Sequence, residues 1–268
     1  VSSRTFFAVA RALDLHQYAI GDIADNRGTV PREDAKMLKQ PIPIADFLGS
    51  LPLFEELDPG VLKRLLVGMS TFDAPRGTIF LRRGDLCTGF YAVIYGQVKL
   101  SLQATRGDEK VFELLARGDT FGESRMFLDE PNRYTAECLA DSKLLHVAKN
   151  VVCAEIDHDA AFARRIIASL SRRLSSVIGD LEGCTLHSGT QRVVFYLLRL
   201  VRDQHEPENE ATAVTLPAQK SIIASHLNVT HEHFSRILHE LTAARLIEVK
   251  GATVRILDCA ALRQHATA

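Results

Sequence analysis

The 268-residue sequence is 46% hydrophobic and 24% charged, with a net charge of −1. That is the balance of a soluble globular protein, and the length suggests two domains rather than one. No apolar run approaches the roughly 18 residues that span a bilayer, and the first ten residues lack the apolar core of an export signal, so a cytoplasmic protein with no membrane partner is expected.

Residues 1–45 hold a mildly amphipathic stretch, Phe6 to Ala19, then a polar segment ending in Pro41-Ile-Pro43. They read as an N-terminal extension, most simply an arm with no ligand role. An effector-sensing domain over 46–156 is expected next. It opens with a helix over 57–69, where Asp58-Pro59 supplies an N-cap and a proline at the first helical position. From Thr71 to His146 short β-rich runs are punctuated by glycines: Thr78–Arg82, Gly89–Tyr95, Val98–Leu102, Val111–Leu115 and Leu144–Val147. Arg83-Gly84-Asp85 and Arg106-Gly107-Asp108 read as turns. Short strands at this spacing predict a small antiparallel roll that can hold a ligand between its sheets.

A long helix over 157–188 is expected to follow. Ala163, Ile167, Leu170, Leu174, Val177, Leu181 and Cys184 recur at alternating spacings of four and three, a narrow seam of the coiled-coil kind. Ile167, Leu170, Leu174, Val177 and Leu181 are the expected dimer interface. The competing reading is a core helix lying on its own roll. Gly179 inside it is a candidate flexible point, because glycine costs about 1 kcal/mol of helix propensity.

Residues 189–268 form the last expected domain, with Gly189 ending the long helix and a new helix running from Gln191 to Arg202. The loop from His205 to Ala211 is acidic. Pro217 to Leu227 reads as a short helix, Asn228-Val229 as a tight turn, and Thr230 as the N-cap of a second helix. In that helix Phe234, Ile237, Leu238 and Leu241 repeat at i, i+3, i+4 and i+7 and form the buried face. Its other face shows His231, Glu232, Ser235, Arg236 and His239. The segment 247–257 then reads as a hairpin about Lys250-Gly251. Helix, turn, helix and hairpin make a winged helix-turn-helix, and the whole chain an α+β protein.

An arginine can donate two hydrogen bonds to guanine, a carboxylate can accept from cytosine, and a serine can reach a base or a phosphate. Thr230, His231, Glu232, Ser235 and Arg236 are therefore the expected DNA-binding residues. Taken alone, Glu232 and Arg236 fit an ordinary i,i+4 surface pair equally well. Charge adds little, since residues 217–255 carry five basic against three acidic side chains.

Three stretches make the sequence, from about Phe47 to Leu257, resemble the Crp/Fnr superfamily of bacterial regulators. They are Arg82–Asp85 followed by Phe90–Lys99, the cassette Gly118-Asp-Thr-Phe-Gly-Glu-Ser124, and the recognition-helix segment Thr230–Arg236. The resemblance implies a cyclic-nucleotide-binding-like β-roll, a long dimerisation helix and a C-terminal winged helix-turn-helix. It also implies a homodimer that binds double-stranded DNA at an inverted-repeat operator and works with RNA polymerase, as an activator or a repressor. The Glu-x-x-Ser-Arg pattern is similar to the Fnr side, whose half-sites resemble TTGAT. Met126–Asn132 and Thr190–Leu198 resemble the Dnr-type denitrification branch, which implies an effector read through haem, namely nitric oxide.

The effector pocket implied by the resemblance comprises Gly122, Glu123, Ser124, Arg133, Tyr134 and Thr135. In cyclic-nucleotide members a Gly-Glu pair holds the ribose and an Arg-Ser/Thr-Ala triplet the phosphate. Gly122 and Glu123 match, but Tyr134 stands where the phosphate arginine belongs and Arg133 sits one position early, on the opposite face of a strand. A cyclic nucleotide is thereby disfavoured as effector.

Axial-ligand candidates for a haem are His16, His146, His158 and His187, with Cys87 and Cys138 behind them; spacing selects no pair. A redox trigger at Cys138 or Cys153, and a constitutive regulator controlled by its own level, stay open. No metal site is assigned. The five cysteines are scattered without a Cys-x-x-Cys pair and none precedes Cys87, which argues against an iron–sulfur cluster and for reduced thiols. A cupin-like enzyme would need histidines in the strands, and residues 71–145 contain none, so no enzyme is expected.

Overall fold

The structure, a computed structural model, describes residues 47–48, 51, 54, 58–103, 109–203 and 212–267. The N-terminal extension with His16, the turn at Arg106-Gly107-Asp108 and the acidic loop at 205–211 lie outside the described residues. Two compact units emerge. The first comprises residues up to Ser101 together with Leu114–Arg173, and the second comprises Leu102–Glu113 together with the chain from Leu174 onward.

The first unit opens with helix α1 (Pro59–Leu66), where Asp58 Oδ1 accepts from Gly60 N at 2.8 Å. Lys63 and Arg64 lie in its last turn, where the helix dipole favours cations. The helix was expected to reach Met69, but that residue starts strand β1 (Met69–Ala74). Gly68 allows the reversal, since a Cβ there would meet Val151 Cγ2 at 2.4 Å.

Seven further strands follow: β2 (Ile79–Leu81), β3 (Gly89–Tyr95), β4 (Val98–Gln103), β5 (Glu109–Leu115), β6 (Thr120–Phe121), β7 (Thr135–Cys138) and β8 (Ser142–Ala148). One sheet has the order β1-β8-β3-β6 and the other β2-β7-β4-β5, the pair forming the β-roll. The end of β4 and most of β5 belong to the second unit.

Alternation along β3 explains the layering. Phe90, Ala92 and Ile94 join Leu145, Val147, Phe54, Leu62, Leu65 and Phe162 in one core. Tyr91 points the other way and stacks on Phe121 at 5.2 Å, with Phe80 edge-on at 5.6 Å. Helix α2 (Glu123–Leu128) leaves the roll from Gly122, whose φ of +98° favours glycine.

The long helix expected from residue 157 begins at Ala160, and a separate, unexpected helix precedes it. Helix α3 (Lys149–His158) ends at Asp159, which is extended, and Asp159 Oδ1 then accepts from Ala161 N at 2.8 Å to start α4 (Ala160–Leu186). An aspartate at this point supplies a fresh N-cap, so the chain bends rather than continues. The guanidinium of Arg64 holds buried Glu155 of α3 through two bonds of 2.7 and 2.6 Å. Helix α4 runs unbroken through Gly179.

Gly189 does not close the long helix but opens α5 (Gly189–Asp203). Ser188 N donates to Gln191 Oε1 at 2.7 Å and Gln191 N to Ser188 Oγ at 3.2 Å, a reciprocal capping box. Strand β9 (Thr212–Thr215), α6 (Lys220–His226), α7 (His231–Ala243), β10 (Ile247–Lys250), β11 (Thr253–Ile256) and α8 (Cys259–Thr267) complete the second unit. The hairpin expected about Gly251 pairs Ile247 with Ile256 and Lys250 with Thr253. β9 adds a third strand against β11. Val193, Leu197, Ile223, Phe234, Ile237, Leu241, Val254 and Leu262 are buried.

Candidate DNA-reading face and effector cassette

The candidate DNA-reading face is built from α6, its turn and α7. Asn228 in the turn has a φ of +56°, a left-handed conformation that asparagine tolerates better than most residues. Val229 N donates to Ala224 O at 3.0 Å and Asn228 N to Ser225 O at 3.1 Å. Thr230 caps α7, its Oγ1 accepting from His233 N at 3.1 Å. Phe234, Ile237, Leu238 and Leu241 are buried, as their spacing predicts.

The opposite face follows of necessity. Thr230, His231, Glu232, Ser235 and Arg236 are all exposed and share the first two turns of α7. The backbone N–H of Glu232 and then the Thr230 hydroxyl hold the Glu232 carboxyl below the usual carboxylate range. Arg236 Nε lies 3.9 Å from Glu240 Oε1, so its i,i+4 neighbour is Glu240 rather than Glu232. The wing carries Lys250 at its tip and a cross-strand pair, Arg255 to Glu248 at 3.7 Å.

Two cations from outside the motif meet the carboxyl end of α6. Arg192 of α5 donates from Nε to Leu227 O at 2.8 Å and from Nη2 to Asn228 O at 3.1 Å. Its Nη1 donates to His187 O at 2.6 Å, just past the end of α4. Lys110 of β5 donates to Ser225 O and lies 3.4 Å from His226 O. Neither residue was anticipated, because no local period marks a surface cation whose partner is a distant carbonyl.

The candidate effector cassette is less uniform. Gly122 sits against β3, where a Cβ would meet Gly89 O at 3.3 Å. Glu123 is buried, and Arg173 of α4 brings Nη1 to 3.8 Å from its Oε2 while donating to Thr120 O. Ser124 is exposed. Arg133 is 70% exposed and lies 3.7 Å from Glu130 Oε2, whereas Tyr134 and Thr135 are half-buried. The structure thus brings Arg173, which the sequence did not single out, to Glu123 and Thr120, and leaves Arg133 on the surface.

The candidate haem ligands are dispersed. His146 stands among Tyr91 at 4.9 Å and Phe72 at 6.3 Å, with Nε2 3.4 Å from Thr88 Oγ1. A Cβ at Gly89 would come within 2.4 Å of that nitrogen. Burial lowers the affinity of His146 for a proton. His158 is exposed at the end of α3, and His187 is half-buried with its ring 4.9 Å from Phe195. Burial pushes the Cys138 thiol up to about 11 and the Cys87 thiol upward, so neither is a ready thiolate. Among the described residues no group of three or more His, Cys, Asp or Glu is placed to hold a metal.

Along α4, Ile167, Leu174, Val177 and Leu181 are 56–63% exposed, with Ile178 beside them. Leu170 instead packs partly against the core of the first unit. Among the described residues no helix is long and apolar enough to cross a membrane.

Residues 72–159 match the family model of the cyclic nucleotide-binding domain, and residues 191–265 that of the Crp-like helix-turn-helix domain. Together they cover more than half of the chain. The cyclic AMP receptor protein of Thermus thermophilus is 28% identical over 216 residues, covering 80% of this chain and 96% of the relative. DNR from Pseudomonas aeruginosa, a solved structure, is 33% identical, covering 81% of this chain and 95% of that one, with a TM-score of 0.45. FixK2 from Bradyrhizobium japonicum shares the fold at a TM-score of 0.65 and 20% identity, covering 73% of this chain and 96% of that one. The β-roll followed by the winged helix-turn-helix, with both family models matched in that order, shows that the chain belongs to the Crp/Fnr family of transcription regulators.

Proposed function

We propose that this regulator is a cytoplasmic homodimer that reads an inverted-repeat operator through Thr230, His231, Glu232, Ser235 and Arg236 and acts on transcription with RNA polymerase. The observation that carries this reading is the exposed apolar stripe of α4, formed by Ile167, Leu174, Val177 and Leu181. Four large aliphatic side chains in water on one helix face are unfavourable, and a second copy of the same stripe covers them. A two-fold dimer then presents two α7 helices to successive major grooves, about 34 Å apart. Arg236→Ala is expected to weaken binding to a duplex with inverted TTGAT half-sites by roughly 1–3 kcal/mol, measured by fluorescence anisotropy. Unchanged affinity would overturn this reading face.

The effector belongs to the same proposal. The Thermus relative is named for cyclic AMP. In this chain the ribose-type carboxylate of Glu123 is taken by Arg173, and Arg133 faces Glu130. The ribose anchor therefore already faces a cation and Tyr134 replaces the phosphate anchor, and we place the effector outside that class. Similarity to the Dnr-type branch supports haem and nitric oxide. His146 does not fit a haem: its Nε2 is directed at Thr88 beside Gly89 and its ring is packed against Tyr91. No axial ligand is assigned, and a Soret titration with haem decides the matter. A sharp band at one equivalent supports the branch, and its absence removes haem.

A further inference from the structure

A helix end leaves carbonyls without intrahelical partners, and a buried turn must find donors for them. At the end of α6 that account closes in an unusual way. Ile223 O accepts from Leu227 N and Ala224 O from Val229 N, within the motif itself. Ser225 O accepts from Asn228 N as well, and among the described residues the four carbonyls of Ser225, His226, Leu227 and Asn228 meet two side chains from outside: Lys110 faces the first pair and Arg192 the second. Lys110 comes from β5, whose backbone also docks here, Val111 N donating to Ser225 Oγ at 2.9 Å. Arg192 comes from α5 and holds His187 O as well, at 2.6 Å.

We infer that Lys110 and Arg192 together form a two-cation cap that positions the turn of the DNA-reading motif, and that both are positioning residues for sequence-specific DNA binding. The physics favours cations at this point, because a helix carries partial negative charge at its carboxyl end and charge-assisted bonds to carbonyls are among the stronger ones. The two cations repel one another, and each lowers the benefit of its neighbour unless both face the same carbonyl cluster. Proximity to Arg192 indeed adds to the burial that makes Lys110 a weaker base than usual.

The position of the cap gives it leverage over α7. Only Val229 separates Asn228, whose carbonyl Arg192 holds, from Thr230, which caps α7. A change in the turn therefore tilts the whole reading helix. His187 N bonds to Gly183 O in the last turn of α4, so Arg192 ties the end of that helix to the same turn. Lys110 ties in a strand of the hairpin β4–β5. Three segments distant in sequence thus converge on four consecutive carbonyls.

This inference rests on the DNA-reading proposal, and the test separates the two. Full-length wild type, Arg192→Ala, Arg192→Lys, Lys110→Met and the Arg192→Ala/Lys110→Met pair are titrated against the inverted TTGAT duplex and against a scrambled duplex at several salt concentrations. Arg236→Ala is run in parallel. Arg192→Ala is expected to lose roughly tenfold in specific affinity, with non-specific affinity and salt slope unchanged, since its guanidinium is spent on carbonyls rather than phosphate. Arg192→Lys, which keeps the charge but offers one nitrogen, falls between. The double variant loses less than the product of the single losses, because both residues hold one element.

A salt slope reduced by about one in Arg192→Ala would mean a phosphate contact and overturn the inference. A gain of specific affinity in Lys110→Met would make the contact a restraint and overturn it likewise. Strictly multiplicative losses would dissolve the shared cap. Normal specific binding by Arg236→Ala would instead defeat the reading face itself. If Arg192→Ala does not fold, Arg192→Lys and Lys110→Met carry the same comparisons.

Discussion

Arg173 brings its guanidinium to 3.8 Å from the carboxylate of Glu123, and the same group donates to the backbone of Thr120. One residue of the long helix thus closes over the turn that, in cyclic-nucleotide members, receives a ribose. Buried Glu123 has its cation already. A nucleotide would have to displace Arg173 and would still find Tyr134 where its phosphate needs an arginine. Calorimetric titration of the full-length protein with cyclic AMP and cyclic GMP is expected to show no binding in the micromolar range. A micromolar dissociation constant for either nucleotide would return the cassette to the nucleotide class.

The stripe on α4 makes a prediction about assembly. Leu174 and Leu181 are both more than 60% exposed within the protomer, so aspartate at these positions creates no cavity in it. The double variant Leu174→Asp/Leu181→Asp is expected to sediment as a monomer while keeping the wild-type circular dichroism spectrum. Operator affinity should fall by roughly a hundredfold or more, because two linked half-site contacts become two separate ones. A variant that still sedimented as a dimer would place the interface elsewhere.

His226 gives a pH dependence with a definite sign. Burial, followed by the charges of Arg199 and Lys110, lowers its pKa to about 4, against an ordinary value of 6.5. Its Nδ1 has no hydrogen-bond partner among the described residues, so protonation there would bury an unsolvated charge. The unfolded chain binds the proton more readily than the folded one. The corresponding stability is therefore complete above about pH 6.5 and is lost as pH falls towards 4, an effect of about 3 kcal/mol. Urea denaturation at pH 7 and pH 5 should show a marked loss in the wild type and a much smaller one in His226→Asn. Equal pH slopes for the two proteins would contradict the assignment.

The recognition helix was legible in the sequence because all its determinants are local. Phe234, Ile237, Leu238 and Leu241 fix the buried face by period alone, and Thr230 marks the start. The roll was legible where strands were long, as in β3, and not where they were two residues long, as in β6. The start of α5 had a local signal, the capping box of Ser188 and Gln191, which the glycine at 189 masked. Arg173, Lys110 and Arg192 were not legible as parts of any site. Each is a cation with an ordinary neighbourhood in sequence, and only the fold brings it to Glu123 or to the carbonyls after α6.

Thr230 caps α7 and belongs to the proposed reading face, so a substitution there tests both roles. Its hydroxyl oxygen accepts from His233 N, and after the backbone N–H of Glu232 its hydroxyl helps to hold the Glu232 carboxyl below the usual carboxylate range. Removing the hydroxyl leaves the first turn of α7 without its cap, which costs about 1 kcal/mol. It also frees the Glu232 carboxylate from the position in which it would face a base. Thr230→Ala should therefore lower the urea midpoint and, in addition, weaken specific binding under conditions where the variant remains folded. Thr230→Ser keeps the oxygen and should recover both. If Thr230→Ala lost stability alone, with operator affinity and sequence preference intact in the folded protein, the threonine would be a helix cap and no part of the reading face.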